Sequence, residues 1–317
     1  MMKVIASGGK EDVAIVYLAE MGNERIVEFV ESVEPPIPRE KKWVMIVSTL
    51  FGCPVRCLMC DAGFTYRGKL SKEQIFAQID FLVKKRFGDT RIPVEKCKLQ
   101  FARMGEPSLN KHVLEVLEEL PNRYAAPGLI PSVSTIAPVD TKDFFDRLCE
   151  IKNILYKNGR FQLQFSIHTT DKKLRDVIIP FPKWDFAAIA EYGEKFFETG
   201  ERKITLNFAL VSGMPVNPEI LSYYFSPDLF LIKITPINPT YRSMQNNILS
   251  YIDTKLENGN YMIIQELRSR GYEVILSIGE VEENYIGSNC GQFVMKHLLS
   301  NEKINNGYSY SFNEYNS

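Results

Sequence analysis

The sequence predicts an α/β protein organised around a parallel sheet, either a full or partial (β/α) barrel or an open doubly wound sheet. Three observations carry that expectation. Between residues 43 and 278, short β-rich runs alternate with segments of helical spacing, strand then helix, about six times. A chain of 317 residues is long enough for one large α/β domain or two small ones, with a sizeable core. Its 45% hydrophobic and 24% charged residues describe an ordinary soluble globular protein.

Residues 1–38 read as a β-hairpin and a linker. "DVAIVYLAE" and "RIVEFVESV" supply two strands and "MGNE" the turn between them. Pro35, Pro36 and Pro38 then interrupt regular structure, because proline donates nothing to a ladder. Within 39–300 the strand candidates are 43–50, 96–101, 130–135, 161–167, 203–210, 229–235 and 272–278. Helical spacing marks "SKEQIFAQIDFLVKKRF" (71–87), "NKHVLEVLEEL" (110–120) and "DTKDFFDRLCEI" (140–151). The polar stretch 301–317 has no period and is expected to be a flexible tail.

Composition narrows the function classes. The 38 basic and 39 acidic residues nearly cancel, which argues against the global basic field of a dedicated nucleic-acid binder. The N-terminal residues lack a signal-peptide core, and no run approaches the roughly 18 apolar residues of a membrane span. A cytoplasmic protein with no membrane partner is expected. In that reducing setting, six cysteines serve metal binding or chemistry better than disulfides.

Three of those cysteines stand together in "FGCPVRCLMCDAG": Cys53, Cys57 and Cys60, spaced C-x3-C-x2-C directly after the first predicted barrel strand. Such offsets fit one helical face, yet Gly52, Pro54 and Gly63 oppose a helix there. Zinc is a second alternative, but no second C-x2-C knuckle or nearby histidine completes a tetrahedral set. Three loop thiolates suit a cubane iron-sulfur cluster with one iron left free of protein ligands. Cys97, Cys149 and Cys290 are isolated in the sequence.

C-x3-C-x2-C on this loop resembles the signature of radical S-adenosylmethionine enzymes. "RMGEPSLN" (103–110), "SVSTIAP" (132–138), "FSIHTTDKKLRDVIIP" (165–180), "ITPINPT" (234–240) and "GSNCGQF" (287–293) are similar, in order, to motifs of the RlmN/Cfr family of RNA adenine methyltransferases. The resemblance implies a partial (β/α)6 radical S-adenosylmethionine barrel with an N-terminal β-hairpin extension. It implies a [4Fe-4S] cluster on Cys53, Cys57 and Cys60 whose open iron chelates S-adenosylmethionine, and an electron donor such as flavodoxin or ferredoxin. Gly105 and Glu106 would hold the methionine moiety. Ser134, Ser166, Ile167, His168 and Asn238 match cosubstrate contacts at successive strand ends, where barrel sites are built. Met59 stands where many relatives carry an aromatic residue near the adenine, a place a soft thioether can fill. Cys290 would be methylated by one S-adenosylmethionine and, after hydrogen abstraction by the radical from a second, would modify an sp2 carbon.

The pattern also departs from the family. Ile46 replaces the second catalytic cysteine, and Cys97 and Cys149 read as core residues rather than substitutes. Relatives carry a helical RNA-binding module before the barrel, where this chain offers the hairpin. Glu28 or Glu31 of the hairpin would be the general base. Arg103 replaces a glycine before M-G-E-P and would shrink the cavity or clamp an anionic group. The basic clusters "KKRF" (84–87) and "RSRG" (268–271) read as solvated faces. The expected substrate is therefore a nucleotide, an RNA smaller than the ribosome's or a small molecule. Two other readings remain: direct hydrogen abstraction from substrate with Cys290 as hydrogen donor or covalent partner, and a non-catalytic iron-sulfur redox protein.

Overall fold

"KCKLQF" alternates polar and apolar residues. In the computed structural model of the chain, which describes residues 2–254, 256 and 261–315, it forms a strand whose two faces differ accordingly. Cys97, Leu99 and Phe101 are fully buried beneath helices, whereas Lys96, Lys98 and Gln100 are half-buried on the other face. Strands buried on both faces by apolar layers read as continuous apolar runs. Alternation here means that one face lines a polar hollow.

The strands are β1 (Lys3–Lys10), β2 (Ala14–Glu20), β3 (Ile26–Ser32), β4 (Lys42–Val47), β5 (Leu50–Gly52), β6 (Tyr66–Lys69), β7 (Lys96–Phe101), β8 (Leu129–Thr135), β9 (Gln162–Ser166), β10 (Ile204–Ala209), β11 (Phe230–Thr235), β12 (Val274–Leu276) and β13 (Asn313–Glu314). The helices are α1 (Lys72–Phe87), α2 (His112–Arg123), α3 (Lys142–Leu155), α4 (Lys172–Ile178), α5 (Phe186–Phe196), α6 (Pro218–Tyr224), α7 (Tyr241–Gln245), α8 (Met262–Ser269), α9 (Val281–Ile286) and α10 (Val294–Leu298). Eleven strands form one sheet in the order β12-β11-β10-β9-β8-β7-β4-β3-β2-β1-β13. From β4 through β12 every pairing is parallel, with a helical crossover between successive strands. The outer edges, β12 and β13, lie at opposite ends of this order, so the six strand-helix units and closing strand make a partial barrel.

Helix starts follow from local chemistry. Ser71 caps α1 in a reciprocal capping box with Gln74, and Gly88 ends that helix in the left-handed conformation. The helices cover a core that includes Trp43, Phe101, Phe145, Phe165 and Phe208, all fully buried. Each such side chain contributes roughly 1.5–3 kcal/mol of burial free energy.

Three elements differ from the sequence expectation. The N-terminal hairpin is a three-stranded antiparallel meander, because the glycine-containing "KVIASGGK" also pairs as β1. Residues 301–315 are not a loose tail. β13 pairs with β1, Ser7 and Tyr315 share a 2.7 Å hydrogen bond, and Ile304 and Tyr308 are buried. The expected strand 43–50 is divided: Ser48 and Thr49 leave the sheet, and the Thr49 and Leu50 N–H groups donate to the Met104 carbonyl.

Candidate functional site

β5 and β6 pair antiparallel, and the three cysteines lie on the loop between them. The Cys53 N–H donates to the carbonyls of Ala62 (2.8 Å) and Thr65 (2.9 Å), closing the loop at its base. Gly52 makes that closure possible. Its φ is +81°, and a Cβ there would sit 1.8 Å from the Thr65 carbonyl oxygen.

The segment after β11 grips the loop through its backbone. Thr240 Oγ1 donates to the Met59 carbonyl (3.0 Å), Arg242 to those of Arg56 (2.8 Å) and Cys57 (2.9 Å), and Asn246 to that of Leu58 (3.0 Å). Asp61, fully buried, accepts from the Tyr241 and Arg242 N–H groups at 3.1 and 2.9 Å. Tyr308 also reaches Asp61, at 3.4 Å, while accepting from the Phe293 N–H. These residues carry no metal-ligating motif, so sequence reasoning passed over them. Spacing alone does not mark a residue whose work is to saturate another segment's carbonyls.

Cys290 is brought onto the same loop. The Asp61 N–H donates to the Gly291 carbonyl (2.8 Å), and Asn238 Nδ2 donates to the Cys290 carbonyl (3.0 Å). Its thiol pKa is raised by the surrounding protein and opposed by Arg103 and Lys233, although the residue is exposed. Exposed area within a crowd of protein atoms describes a residue that lines a hollow. Cys57 and Cys60 both feel its charge.

Arg103 and Glu28 hold this segment from behind. The Arg103 guanidinium donates to the carbonyls of Gly287 (2.7 Å), Ser288 (3.0 Å) and Asn289 (3.1 Å) and pairs with Glu28 at 2.7 Å. Glu28 in turn accepts from the N–H groups of Val294 (3.2 Å) and Met295 (2.7 Å). The expected general base is thus committed to structure, with both oxygens occupied. Glu31 is three residues along the strand and so faces the opposite side of the sheet. There it binds Tyr17, Trp43 and Arg86, at 2.5 Å to the Arg86 Nε, away from the lumen. Arg103 clamps backbone carbonyls of its own chain rather than an external anion.

The remaining expected contacts divide. Gly105 has φ +102°, and a Cβ there would sit 2.5 Å from the Leu50 Cβ. Glu106 accepts at Oε1 from Ser108 Oγ (2.7 Å) and Thr135 Oγ1 (2.5 Å) and at Oε2 from the Ile136 N–H (2.9 Å); its charge raises the pKa of Cys53 and Cys57. Ser134 and Ser166 are half-buried on the lumen faces of β8 and β9. The Ile167 side chain is fully buried in the helix-side core, so only its backbone is available to a ligand. His168 has φ +67° and accepts the Ala209 N–H at Nδ1 (3.0 Å); burial pushes its pKa down to about 3, so the ring is neutral. Met59 packs with Val55, Ile136 and Ile179 in a small apolar cluster beside the cysteines.

Ile46 is half-buried against Val16, Leu18, Val30 and Met295. Cys97 is fully buried on the helix side, its thiol raised to about 12, and Cys149 sits on α3 beside the Lys195 carbonyl at 3.7 Å. Neither faces Cys290.

Comparison with known proteins gives this arrangement a lineage. A probable dual-specificity RNA methyltransferase RlmN from Chlorobium phaeobacteroides is 27% identical over 288 residues, covering 85% of this chain and 72% of the relative. Another, from Prochlorococcus marinus, is 28% identical over 202 residues, 63% of this chain and 54% of its own length; this chain thus spans about half of that relative. The fold is shared with a radical SAM methyltransferase from Sphaerobacter thermophilus, with a TM-score of 0.70 at 20% identity, over 92% of this chain and 80% of that one. The chain is similar to RlmN RNA methyltransferases in sequence and shares the fold of a radical S-adenosylmethionine methyltransferase. No family model matches it. Among the described residues, no helix is long and apolar enough to cross a membrane.

A radical S-adenosylmethionine enzyme implies an iron-sulfur cluster, and the cysteine loop can be tested against it. Burial raises all three thiols, Cys53 to about 11; Glu106 raises Cys53 further, and neighbouring cysteines raise Cys57 and Cys60 further. Such thiols need a strongly cationic partner to ionise. Three sulfur donors on one loop match a cubane that keeps one iron for another ligand. The thiols are neighbours rather than a closed ligand set, since no group of three Cys, His, Asp or Glu is gathered as a metal site among the described residues. The donor chemistry fits.

Proposed function

We propose that this enzyme transfers a methyl-derived carbon to an sp2 carbon of its substrate through Cys290, with Cys53, Cys57 and Cys60 holding a [4Fe-4S] cluster and S-adenosylmethionine as cosubstrate. The observation that carries the proposal is the seating of the Cys290 segment on the cysteine loop by the 2.8 Å bond from Asp61 to Gly291. Residues more than 200 positions apart are thereby held in one chamber.

When bound, the cluster and its cosubstrate supply a hydrogen-abstracting 5′-deoxyadenosyl radical. The protein's own groups supply the rest. Cys290 accepts the methyl group at Sγ and loses its thiol proton, with Arg103 and Lys233 favouring the thiolate. Met59 and its apolar neighbours offer a surface for an adenine ring, and Glu106 one remaining acceptor position at Oε2 for an ammonium group. The electron donor would be a flavodoxin or ferredoxin, and the substrate a nucleotide, RNA or small molecule.

A second reading is favoured by Ile46 and by the remoteness of Cys97 and Cys149, which leave no second thiol facing Cys290 among the described residues outside the cluster loop. In it the radical takes hydrogen directly from substrate, and Cys290 donates hydrogen back. Anaerobic reconstitution with iron, sulfide, reductant and S-adenosylmethionine separates the two. Release of 5′-deoxyadenosine together with S-adenosylhomocysteine supports the proposal. Deoxyadenosine alone supports the second reading, and neither product overturns both.

A further inference from the structure

The barrel lumen carries a charged site that methyl transfer does not use. β7 turns Lys96 and Lys98 inward, and β11 does the same with Lys233, each alternating with fully buried apolar neighbours on the helix side. β8, β9 and β10 separate these two strands in the sheet, yet the charge of Lys233 acts on Lys98, as it does on Lys42 of β4, which fits a sheet curled so that its lysine-bearing inner faces approach one another. Lys42 lies beside Lys96 in register and is already paired with Glu34. Lys98 and Lys233 have no hydrogen-bond or ion-pair partner among the described residues. The acidic groups whose charge reaches Lys233 are the Cys290 thiol and Glu283, whose carboxyl burial raises to about 7 and so holds partly protonated at neutral pH.

Unpaired like charges in a poorly hydrated chamber oppose folding. The lumen also offers neutral hydrogen-bonding side chains: Gln100, two residues beyond Lys98, is followed in register by Ser132 and Gln162 across β8 and β9, and Lys233 is in register with Asn207 of β10. Lys233 reaches far enough upward for its charge to act on Cys290.

We infer that Lys98 and Lys233 bind the anionic end of the substrate, a phosphate monoester or carboxylate, in the lumen below Cys290. The inference rests on the reading of Cys290 as the reacting residue, which makes the lumen the substrate chamber. Depth selects the substrate class. Lys98 lies three residues before the end of β7 at Phe101, about 10 Å below the barrel mouth at roughly 3.3 Å per residue. An internal phosphodiester is tethered on both sides and stays at the mouth. A terminal phosphate or a carboxylate on a small molecule reaches the lysines while its sp2 carbon faces Cys290.

Lysine acylation tests this on the unaltered protein without any turnover, so its failure leaves the radical reading standing. The protein is treated with acetic anhydride at pH 7.5 and constant ionic strength, and peptide masses report each lysine, with exposed Lys157 as reference. The arms are chloride, inorganic phosphate, adenosine monophosphate, citrate, an internal-phosphate oligonucleotide and S-adenosylmethionine. Phosphate, the nucleotide or citrate should slow Lys98 acylation relative to Lys157, about tenfold at ten times the dissociation constant. Stronger protection by the nucleotide identifies a phosphorylated substrate, and stronger protection by citrate a carboxylate. The protection should disappear in Lys233→Met. Equal acylation in all arms, protection by the oligonucleotide or S-adenosylmethionine alone, undiminished protection in Lys233→Met, or a Lys98 that never reacts would each overturn the inference.

Discussion

Arg103 and Glu28 form a buried ion pair at 2.7 Å that holds both flanks of the segment carrying Cys290. The guanidinium takes three carbonyls before the cysteine, and the carboxylate takes two N–H groups after it. Removing one partner strands the other charge in the interior, which costs about 3–5 kcal/mol. Arg103→Met should therefore lower unfolding free energy in urea by that amount. Glu28→Leu combined with Arg103→Met should recover part of it, and the double variant should still carry less methyl on Cys290 than the parent. A single variant as stable as the parent would contradict the clamp.

Gly52→Ala places a Cβ against the Thr65 carbonyl in a backbone conformation that side chains avoid. The loop base must open, at a cost of at least about 1–3 kcal/mol. We expect a lowered melting temperature and a reduced iron-to-protein ratio after anaerobic reconstitution, read by calorimetry and iron analysis.

Arg242→Met frees the carbonyls of Arg56 and Cys57 while leaving the cysteines in place. Each lost charge-assisted hydrogen bond is worth roughly 1.5–3 kcal/mol. Iron retention should fall towards that of Cys57→Ser, with helix content by circular dichroism unchanged.

Most of the framework is legible in the sequence because β-rich runs, alternating in β7, β9 and β10, are separated by segments with helical caps or apolar stripes. The predicted run 96–101 coincides with β7. The cysteine triplet and Cys290 were legible as chemistry, but their meeting was not. It depends on Asp61, Thr240, Arg242 and Tyr308, whose partners lie 180 or more residues away. β1 escaped notice because its glycines dilute the β pattern, and the C-terminal residues because their burial is tertiary. Glu28 and Glu31 looked equivalent in sequence; a spacing of three in a strand sends them to opposite faces. The lumen lysines were visible in "KCKLQF" and "FLIKIT" as polar residues alternating with core, a pattern that signals a hollow once the strands are known to be parallel.

Lys98 gives a pH signature. Burial and neighbouring lysines lower its pKa from 10.5 to about 7 in the folded protein. A lysine with a depressed folded pKa contributes stability that is present above the unfolded value and is lost as pH falls through the folded one. The window is therefore pH 10.5 down to 7. Lys98→Met should be more stable than the parent near pH 7, by roughly 1–3 kcal/mol, with the gap closing towards pH 10. Melting temperatures across that range check the slope.

The central claim is that Cys290 is the methyl acceptor in a chamber shared with the cysteine loop. The most direct measurement is peptide mapping of anaerobically reconstituted protein after incubation with reductant and methyl-labelled S-adenosylmethionine. The account predicts label on the Cys290 peptide, absent in Cys290→Ala and in Cys57→Ala. Label on another residue, or an unlabelled Cys290 in protein that releases 5′-deoxyadenosine, would contradict it.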